Sequence, residues 1–169
     1  DKVVDLNKLW CYPQLSASSA FFKSELFDKF EFDTNLVSSE DSIMVNKILL
    51  EKMAYGVVKK GAYNYRKRFD ESSTIDTSNK SINFYNDRLK NYFINLINYS
   101  LEKYSLVPKF IQYMIIYDIQ WIFYSNDVQS LLAKNNESEE FYNNLKYIAK
   151  FLDDEIILKH RNVTLNVKN

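Results

Sequence analysis

The sequence predicts a mainly helical protein with a few short strands, and three observations support this. After residue 80, apolar residues recur mostly at spacings of three and four, the period of an amphipathic α-helix. Only two glycines and two prolines occur among the 169 residues, so few tight turns interrupt the elements. Hydrophobic residues make up 46% of the chain and aromatic residues 16%, which is enough for one well-packed core.

The segment before the first long helix contains two short elements. We expect "SASSAFF" to form a short strand and "SELFDKF" to form one or two helical turns. A helix should then begin near Glu40, because "EDSIMVNKILLEKM" places apolar residues on a broad helical stripe. Tyr55 and Gly56 are the expected end of this helix, since glycine commonly follows a helix.

The segment "YGVVKKGAYNYRKR" has the pattern of short strands. Val57 and Val58 precede Gly61, and Tyr63 and Tyr65 alternate with polar residues, as in a half-buried strand. The following "FDESSTIDTSNKS" is rich in Ser, Thr and Asp and has no apolar periodicity, which predicts a loop. This loop divides the chain into a mixed part, residues 1–77, and a helical part, residues 78–169.

The helical part predicts three helices and a short helical piece. The first helix runs from about Ser81 to Tyr104, with Tyr85, Tyr92 and Tyr99 on its buried stripe. The second follows Pro108, whose fixed φ suits a first helical turn, and reaches about residue 126. "VQSLLAK" is the short piece, and a last helix from about residue 141 reaches into "DDEIILKH".

The most apolar stretch, "FIQYMIIYDIQWIFY", is expected to be a buried helix. It is shorter than the roughly 20 residues that a membrane crossing requires, and three polar residues interrupt it. Asp118 and Gln120 should therefore have hydrogen-bonding partners in the core, because an unpaired buried polar group is costly.

Composition excludes several classes of function. Lys plus Arg and Asp plus Glu each number 22, so no overall charge steers the chain toward nucleic acid. A single cysteine, Cys11, rules out an intrachain disulfide framework and a cysteine zinc cluster, and a single histidine, His160, leaves little for a His-based metal site. A reduced, cytoplasmic setting fits this composition best.

Two adjacent acids, Glu40 and Asp41, open the first long helix and allow two interpretations. Ser38 or Ser39 is a suitable N-cap, and acids in a first turn interact favourably with unpaired N–H groups and the helix dipole. The same position would suit a catalytic carboxylate, since clustered acids also mark functional sites. Local sequence leaves both interpretations open.

A basic segment followed by hydroxyl groups also has two interpretations. In a strand, Arg66 and Arg68 would point to the same face, so their guanidinium groups could converge on one anion. Ser72 and Ser73 could add hydroxyl donors, which together would suit a diphosphate. The alternative is a solvated basic strand end.

The order of these segments, "SASSAFFKSELFDKFEFDTNLVSSEDSIMVNKIL" and then "GAYNYRKRFDESST", resembles family 2 glycosyltransferases. These are inverting enzymes with a GT-A fold, and the resemblance is to the bacterial branch that builds capsule, teichoic acid or lipopolysaccharide. It covers about the first 75 residues, through Phe21 to Phe27, Phe32 and Asp33, and the Glu40-Asp41 pair. It implies that residues 1–77 are the second half of a GT-A α/β domain and that residues 78–169 are a helical extension.

The resemblance implies roles for the two motifs. Asp41 corresponds to the general base that takes the proton of the acceptor hydroxyl, and Glu40 would contact the acceptor or orient Asp41. The basic segment would close over the nucleotide diphosphate of the donor through Arg66, Arg68, Ser72 and Ser73. The implied partners are a nucleotide-sugar donor and a glycan or lipid-linked acceptor, with no nucleic acid.

One feature of the family is missing from this sequence. The family binds a divalent cation, Mg²⁺ or Mn²⁺, through a D-x-D motif in its first half, and no D-x-D occurs in the chain. We therefore expect a fragment of a longer enzyme, inactive in isolation, whose cation is bound elsewhere. The implied location is cytoplasmic, with peripheral association at the inner face of the membrane left open. The competing hypothesis is a non-enzymatic helical module for assembly or docking, in which the acids are only a cap.

Overall fold

The computed structural model describes residues 1–14, 16–34, 36, 39–64, 82–124, 128, 130–132, 138–160 and 163. The part of the chain that the structure describes is mainly helical. Two short strands form one small sheet in the part of the chain that the structure describes. The predicted fold class, mainly α with a few short strands, is confirmed.

The sheet consists of β1, Lys2–Asp5, and β2, Ala54–Val57, in antiparallel pairing with Lys2 opposite Val57 and Asp5 opposite Ala54. Strand β1 has only four residues and was not predicted from the sequence. Strand β2 begins before the predicted valine pair. Tyr63 and Asn64, expected in a strand, have irregular backbone.

The predicted strand in "SASSAFF" is wrong, because residues 17–19 form a bend and turn. Side chains there bond locally: the Gln14 amide donates to Ser19 Oγ at 3.0 Å, and the Ser16 and Ser18 hydroxyls lie 2.7 Å apart. Such short-range bonds of serine compete with strand pairing. The following 3-10 helix, Ser24–Asp28, confirms the predicted helical turn.

Helix α1, Glu40–Lys52, begins where the sequence predicts but ends earlier. It stops at Met53, which has a left-handed backbone with φ of 51°, and Gly56 lies within β2. The Met53 N–H donates to Leu49 O at 2.7 Å, and Met53 O accepts from Leu6 N–H at 2.9 Å. This second bond leads the chain directly from the helix into the sheet.

The predicted helix of residues 81–104 is helical from residue 82 onward but is not uniform. It comprises α2, Ile82–Asp87, a π-helix, Arg88–Ile94, and α3, Asn95–Tyr104. The π-helix was not predicted. It widens the backbone in the middle of the element, a feature often found at functional sites.

Three further helices complete the part of the chain that the structure describes. They are α4, Lys109–Tyr124, α5, Ser138–Ala149, and α6, Asp154–Lys159. Residues 128 and 130–132, within the predicted short piece, are helical. The last predicted helix is broken between α5 and α6. There the Asp153 N–H donates to the Gln112 side chain at 2.8 Å, and the Gln112 amide donates to the Asp153 carboxylate at 3.0 Å.

One hydrophobic cluster joins the mixed and helical parts of the chain. It includes Val4, Leu6, Leu49, Leu50, Leu96, Ile97, Met114 and Ile115. The expected boundary at residue 77 lies outside the described residues, so the division into two domains stays a prediction. Helix α4 is largely buried, as predicted, and no helix within the described ranges is long and apolar enough to span a membrane.

Candidate functional site

The candidate site begins at the first turn of α1. Glu40 and Asp41 are its first two residues, and both are partly buried. Asp41 Oδ1 accepts a hydrogen bond from the backbone N–H of Ser42 at 2.7 Å. The first N–H groups of a helix have no intrahelical partner, and a carboxylate here also interacts favourably with the helix dipole. Asp41 therefore has the position and the contact of a helix-stabilising acid.

The predicted capping role of serine is not found at Ser39. Ser39 occupies the N-cap position, but its side chain makes no capping hydrogen bond. Its φ is 70°, in the left-handed region, whereas side chains that cap a helix normally come from an extended N-cap residue. This conformation costs about 1 kcal/mol for a residue other than glycine. A strained residue thus directly precedes the two acids, while Ser38 lies outside the described residues.

A buried polar cluster lies behind this helix start and consists of Arg88, Tyr92 and Asp118, here called the Asp118 cluster. Arg88 Nη2 is 3.3 Å from Asp118 Oδ1, and the Tyr92 hydroxyl donates to Asp118 Oδ2 at 3.0 Å. Arg88 opens the π-helix, Tyr92 follows one turn later, and Asp118 belongs to α4. Both carboxylate oxygens therefore have a partner, which confirms the predicted pairing of this buried acid.

Electrostatics connects the Asp118 cluster with Asp41. Burial raises the pKa of Asp118 above its ordinary value, and the charge of Asp41 raises it further, whereas Arg88 and the Tyr92 hydrogen bond act in the opposite direction. Burial, and then the Asp118 charge, raise the pKa of Tyr92, while a hydrogen bond from the Ser42 side chain lowers it. Ser42 is the residue whose N–H also holds Asp41. The start of α1, the π-helix and α4 thus meet at one polar site.

The sequence predicts the burial of Tyr92 and the pairing of Asp118 but not the cluster that they form with Arg88. It placed Tyr92 on a buried stripe and gave Asp118 a partner in the core, and both predictions are confirmed. Arg88 was not singled out. Two features of the sequence weakly indicate the cluster. An arginine lies four residues before a tyrosine on one helix, and a single acid lies in an apolar helix.

The other predicted site residues cannot be placed. Arg66, Arg68, Ser72 and Ser73 lie outside the described residues, so their convergence on a diphosphate stays a prediction.

The described residues hold no group of three or more His, Cys, Asp or Glu side chains that could bind a metal ion. His160 is buried, stacked on the Tyr113 ring with centroids 3.8 Å apart, and its Nε2 is 3.1 Å from Tyr113 O. Cys11 is a half-buried free thiol. The expected divalent cation therefore has no ligand set among the residues that the structure describes.

Comparison with known proteins identifies two relatives, both from Bacillus subtilis (strain 168). The chain is 29% identical over 163 residues to the minor teichoic acid biosynthesis protein GgaB, covering 96% of the chain and 18% of GgaB. It is 32% identical over 128 residues to the minor teichoic acid biosynthesis protein GgaA, covering 75% of the chain and 29% of GgaA. The chain thus spans less than a third of the length of these relatives. No protein-family model and no solved structure matches it.

Proposed function

We propose that this chain is part of a glycosyltransferase that transfers a sugar from a nucleotide-sugar donor to a cell-surface polysaccharide or wall-polymer acceptor. The similarity to two teichoic acid biosynthesis proteins supports the wall-polymer class. The resemblance of the Glu40-Asp41 segment to inverting GT-A enzymes of family 2 supports the reaction type. The observation that carries the proposal is the partly exposed Asp41, fixed at a helix N-terminus and backed by the Asp118 cluster.

In this proposal Asp41 is the general base. Its Oδ1 is held by the Ser42 N–H, and Oδ2 has no hydrogen bond to a described residue. Oδ2 takes the proton of the acceptor hydroxyl while the acceptor oxygen forms a bond to the anomeric carbon of the donor sugar. The bond from that carbon to the diphosphate breaks at the same time, and the nucleoside diphosphate leaves with the bonding electrons. A base is effective in this step only when it is positioned before the reaction.

The remaining predicted site residues take supporting roles. Glu40, adjacent to the base, contacts the acceptor or orients Asp41. Arg66, Arg68, Ser72 and Ser73 bind the diphosphate. A divalent cation, when bound, neutralises charge on the diphosphate; because the described residues offer no ligand set, we assign its binding to another part of the protein.

It follows that the 169-residue chain alone should transfer no sugar from a nucleotide-sugar, while the complete protein should. We place the complete enzyme in the cytoplasm, at the inner face of the membrane, where lipid-linked acceptors would be accessible.

The alternative function is a helical docking module, and one observation favours it. Trp121 and Phe123 on α4 are about half exposed, and Phe123 lines an open apolar groove of about 320 Å³ between α4 and α5. Exposed apolar surface of this kind often marks a protein contact. The two functions differ in what they require of Asp41, which is essential for transfer and dispensable for docking.

The decisive experiment replaces Asp41 by Asn in the full-length protein. Asn retains an oxygen that can accept the Ser42 N–H but cannot take a proton, so the transfer rate should fall by at least about 100-fold. The melting temperature of the 169-residue chain with the same substitution should stay within about 2 °C of the wild type, since a loss of about 1 kcal/mol in a chain of this size lowers it by about 2 to 4 °C.

The matched control is Asp28→Asn, at an exposed acid that ends the 3-10 helix, and it should retain wild-type activity. If Asp41→Asn keeps its activity per folded molecule and only loses stability, the acid pair is a cap and the proposal fails.

A further inference from the structure

Ser42, in the first turn of α1, has a contact for each of its polar groups. Its N–H donates to Asp41 Oδ1 at 2.7 Å, and its carbonyl oxygen accepts from the side-chain amide of the buried Asn46 at 2.8 Å. Its hydroxyl is hydrogen-bonded to the hydroxyl of Tyr92 on the π-helix. This half-buried serine therefore joins the candidate base to a second element of the fold.

The direction of the bond between the two hydroxyls follows from the other partners of Tyr92. The Tyr92 hydroxyl lies 3.0 Å from Asp118 Oδ2 and 2.9 Å from Met114 Sδ. Its single proton goes to the carboxylate, because a carboxylate oxygen is a stronger acceptor than a thioether sulfur. The Tyr92 oxygen is then left to accept from Ser42, and this bond accordingly opposes the rise in the pKa of Tyr92. The chain of donors thus runs from Ser42 through Tyr92 to Asp118.

The backbone ladder of α1 does not by itself fix the N–H of Ser42. The Ile43 N–H donates to Ser39 O at 3.0 Å, and the N–H groups before it have no intrahelical acceptor. The side chain of Ser39 makes no capping hydrogen bond either. The contact of the Ser42 hydroxyl with Tyr92, which is buried, therefore ties this first turn to the core.

We propose that Ser42 is a positioning residue for the candidate base. Its hydroxyl fixes the first turn of α1 to Tyr92, and its N–H holds Asp41 Oδ1, so that Oδ2 stays directed at the acceptor hydroxyl. Such a restraint matters because a displacement of about 1 Å at a reacting group can lower a rate by about 100-fold. The role of Asp41 as the base rests on the proposed function, whereas the fixing of its carboxylate by Ser42 does not.

The first test is amide hydrogen exchange in the 169-residue chain, measured by NMR. Ser42→Ala keeps the N–H but removes the hydroxyl, and Tyr92→Phe removes the partner of that hydroxyl. In both variants the protection factor of the residue-42 amide should fall by about fivefold relative to that of the Leu49 amide, the effect of losing one hydrogen bond. General destabilisation would lower the protection of Leu49 at least as much. Ser42→Thr, which keeps a hydroxyl, should retain the wild-type ratio.

The second test is the steady-state kinetics of the full-length protein. Ser42→Ala should lower kcat by at least about tenfold and leave KM for the acceptor within about twofold, because the contact acts on the chemical step and not on binding. Ser42→Thr should recover most of the loss. The matched control is Ser100→Ala, which removes a buried hydroxyl that donates to Leu96 O at 2.7 Å within α3. It should behave like the wild type in both tests.

An unchanged ratio of protection factors in Ser42→Ala and Tyr92→Phe would overturn the proposal. A wild-type kcat for Ser42→Ala, in a protein that Asp41→Asn inactivates, would overturn it as well. If Ser42→Ala does not fold, Tyr92→Phe serves for both measurements with the same expectations. If Asp41→Asn keeps its activity, the proposed function fails, and amide exchange still decides whether Ser42 fixes the Asp41 carboxylate.

Discussion

Two carboxylates of this protein have similar partners, yet their pKa values move in opposite directions. Asp118 accepts a hydrogen bond from Tyr92, and Glu51 accepts one from Tyr99 at 2.9 Å. The two tyrosines lie in the same helical stretch, and each acid also contacts a cation. The pKa of Asp118 is raised, whereas that of Glu51 is lowered to about 2.

Exposed area alone does not explain this difference. The Asp118 side chain is 12% exposed and the Glu51 side chain 19%, so both are largely covered. Glu51 is covered by cations, with Lys103 Nζ at 2.5 Å and Lys29 Nζ at 3.0 Å, and their hydrogen bonds favour its charged form.

Asp118 instead belongs to the most apolar helix and has a single guanidinium contact, so desolvation outweighs its one cation. In these two acids, hydrogen bonds from two ammonium groups lower the pKa of Glu51, whereas desolvation in an apolar helix raises the pKa of Asp118.

The largest expected effect comes from removing the buried acid. Asp118→Leu leaves the Arg88 guanidinium, which is 19% exposed, without its carboxylate, and the free energy of unfolding of the 169-residue chain should fall by about 3 kcal/mol. Urea denaturation measures this. The double variant Arg88→Met/Asp118→Leu should recover most of the loss, because no charge is then left unpaired. If Asp118→Leu alone is as stable as the wild type, the ion pair between Arg88 and Asp118 is solvated and the prediction is wrong.

The two tyrosines provide a matched pair of smaller changes. Tyr92→Phe removes the donor to a buried carboxylate and should lower the free energy of unfolding by about 1.5 kcal/mol. Tyr99→Phe leaves Glu51 with both lysines and should lower it by only about 0.5 kcal/mol. Urea midpoints of the two variants give the comparison directly. Equal losses would mean that the two carboxylates have equivalent surroundings.

Glu51→Gln should have an intermediate effect of about 1 kcal/mol on the free energy of unfolding at pH 7, because it removes two ion pairs whose lysines are 60% and 29% exposed. Thermal unfolding followed by circular dichroism is a suitable measurement. Glu139→Gln, an exposed acid in the first turn of α5, is the control and should change stability little. If Glu51→Gln is as stable as Glu139→Gln, the ion pairs of Glu51 contribute nothing measurable to the free energy of unfolding.

The pH dependence of this variant is the smallest effect and depends on the sign of the shift. The folded pKa of Glu51, about 2, lies below its ordinary 4.5, so its contribution is present above pH 4.5 and is lost as the pH falls toward 2. The melting-temperature difference between the wild type and Glu51→Gln should therefore shrink between pH 5 and pH 2. For Asp118, whose pKa is raised, the pH dependence has the opposite sign: its contribution to stability is present below the ordinary value of 3.8 and is lost as the pH rises through the folded pKa. A difference for Glu51 that grows at acid pH would contradict the assignment.

The sequence predicted the helices better than the contacts between them. The stripe containing Tyr85, Leu89 and Tyr92 is sufficient to predict a helix. The π-helix does not interrupt the apolar spacing of this stripe, so it could not be predicted from the spacing. Asp41 was singled out as a candidate because acids at a helix start form a local pattern, and its role stays a prediction. The contact between Arg88 and Asp118 joins residues thirty positions apart on two helices, and local periodicity contains no information about such a pair.

The sheet also has a consequence for the order in which the molecule assembles. Strand β1 pairs with β2, so the segment between them, which includes α1 and the candidate base, is a loop closed at both ends by backbone hydrogen bonds. During synthesis the first strand has no partner until the residues near Val57 have been made. Closing a loop of this length loses chain entropy before the sheet compensates for it. The position of Asp41 in the fold therefore depends on the pairing of β1 with β2, which joins both ends of its loop.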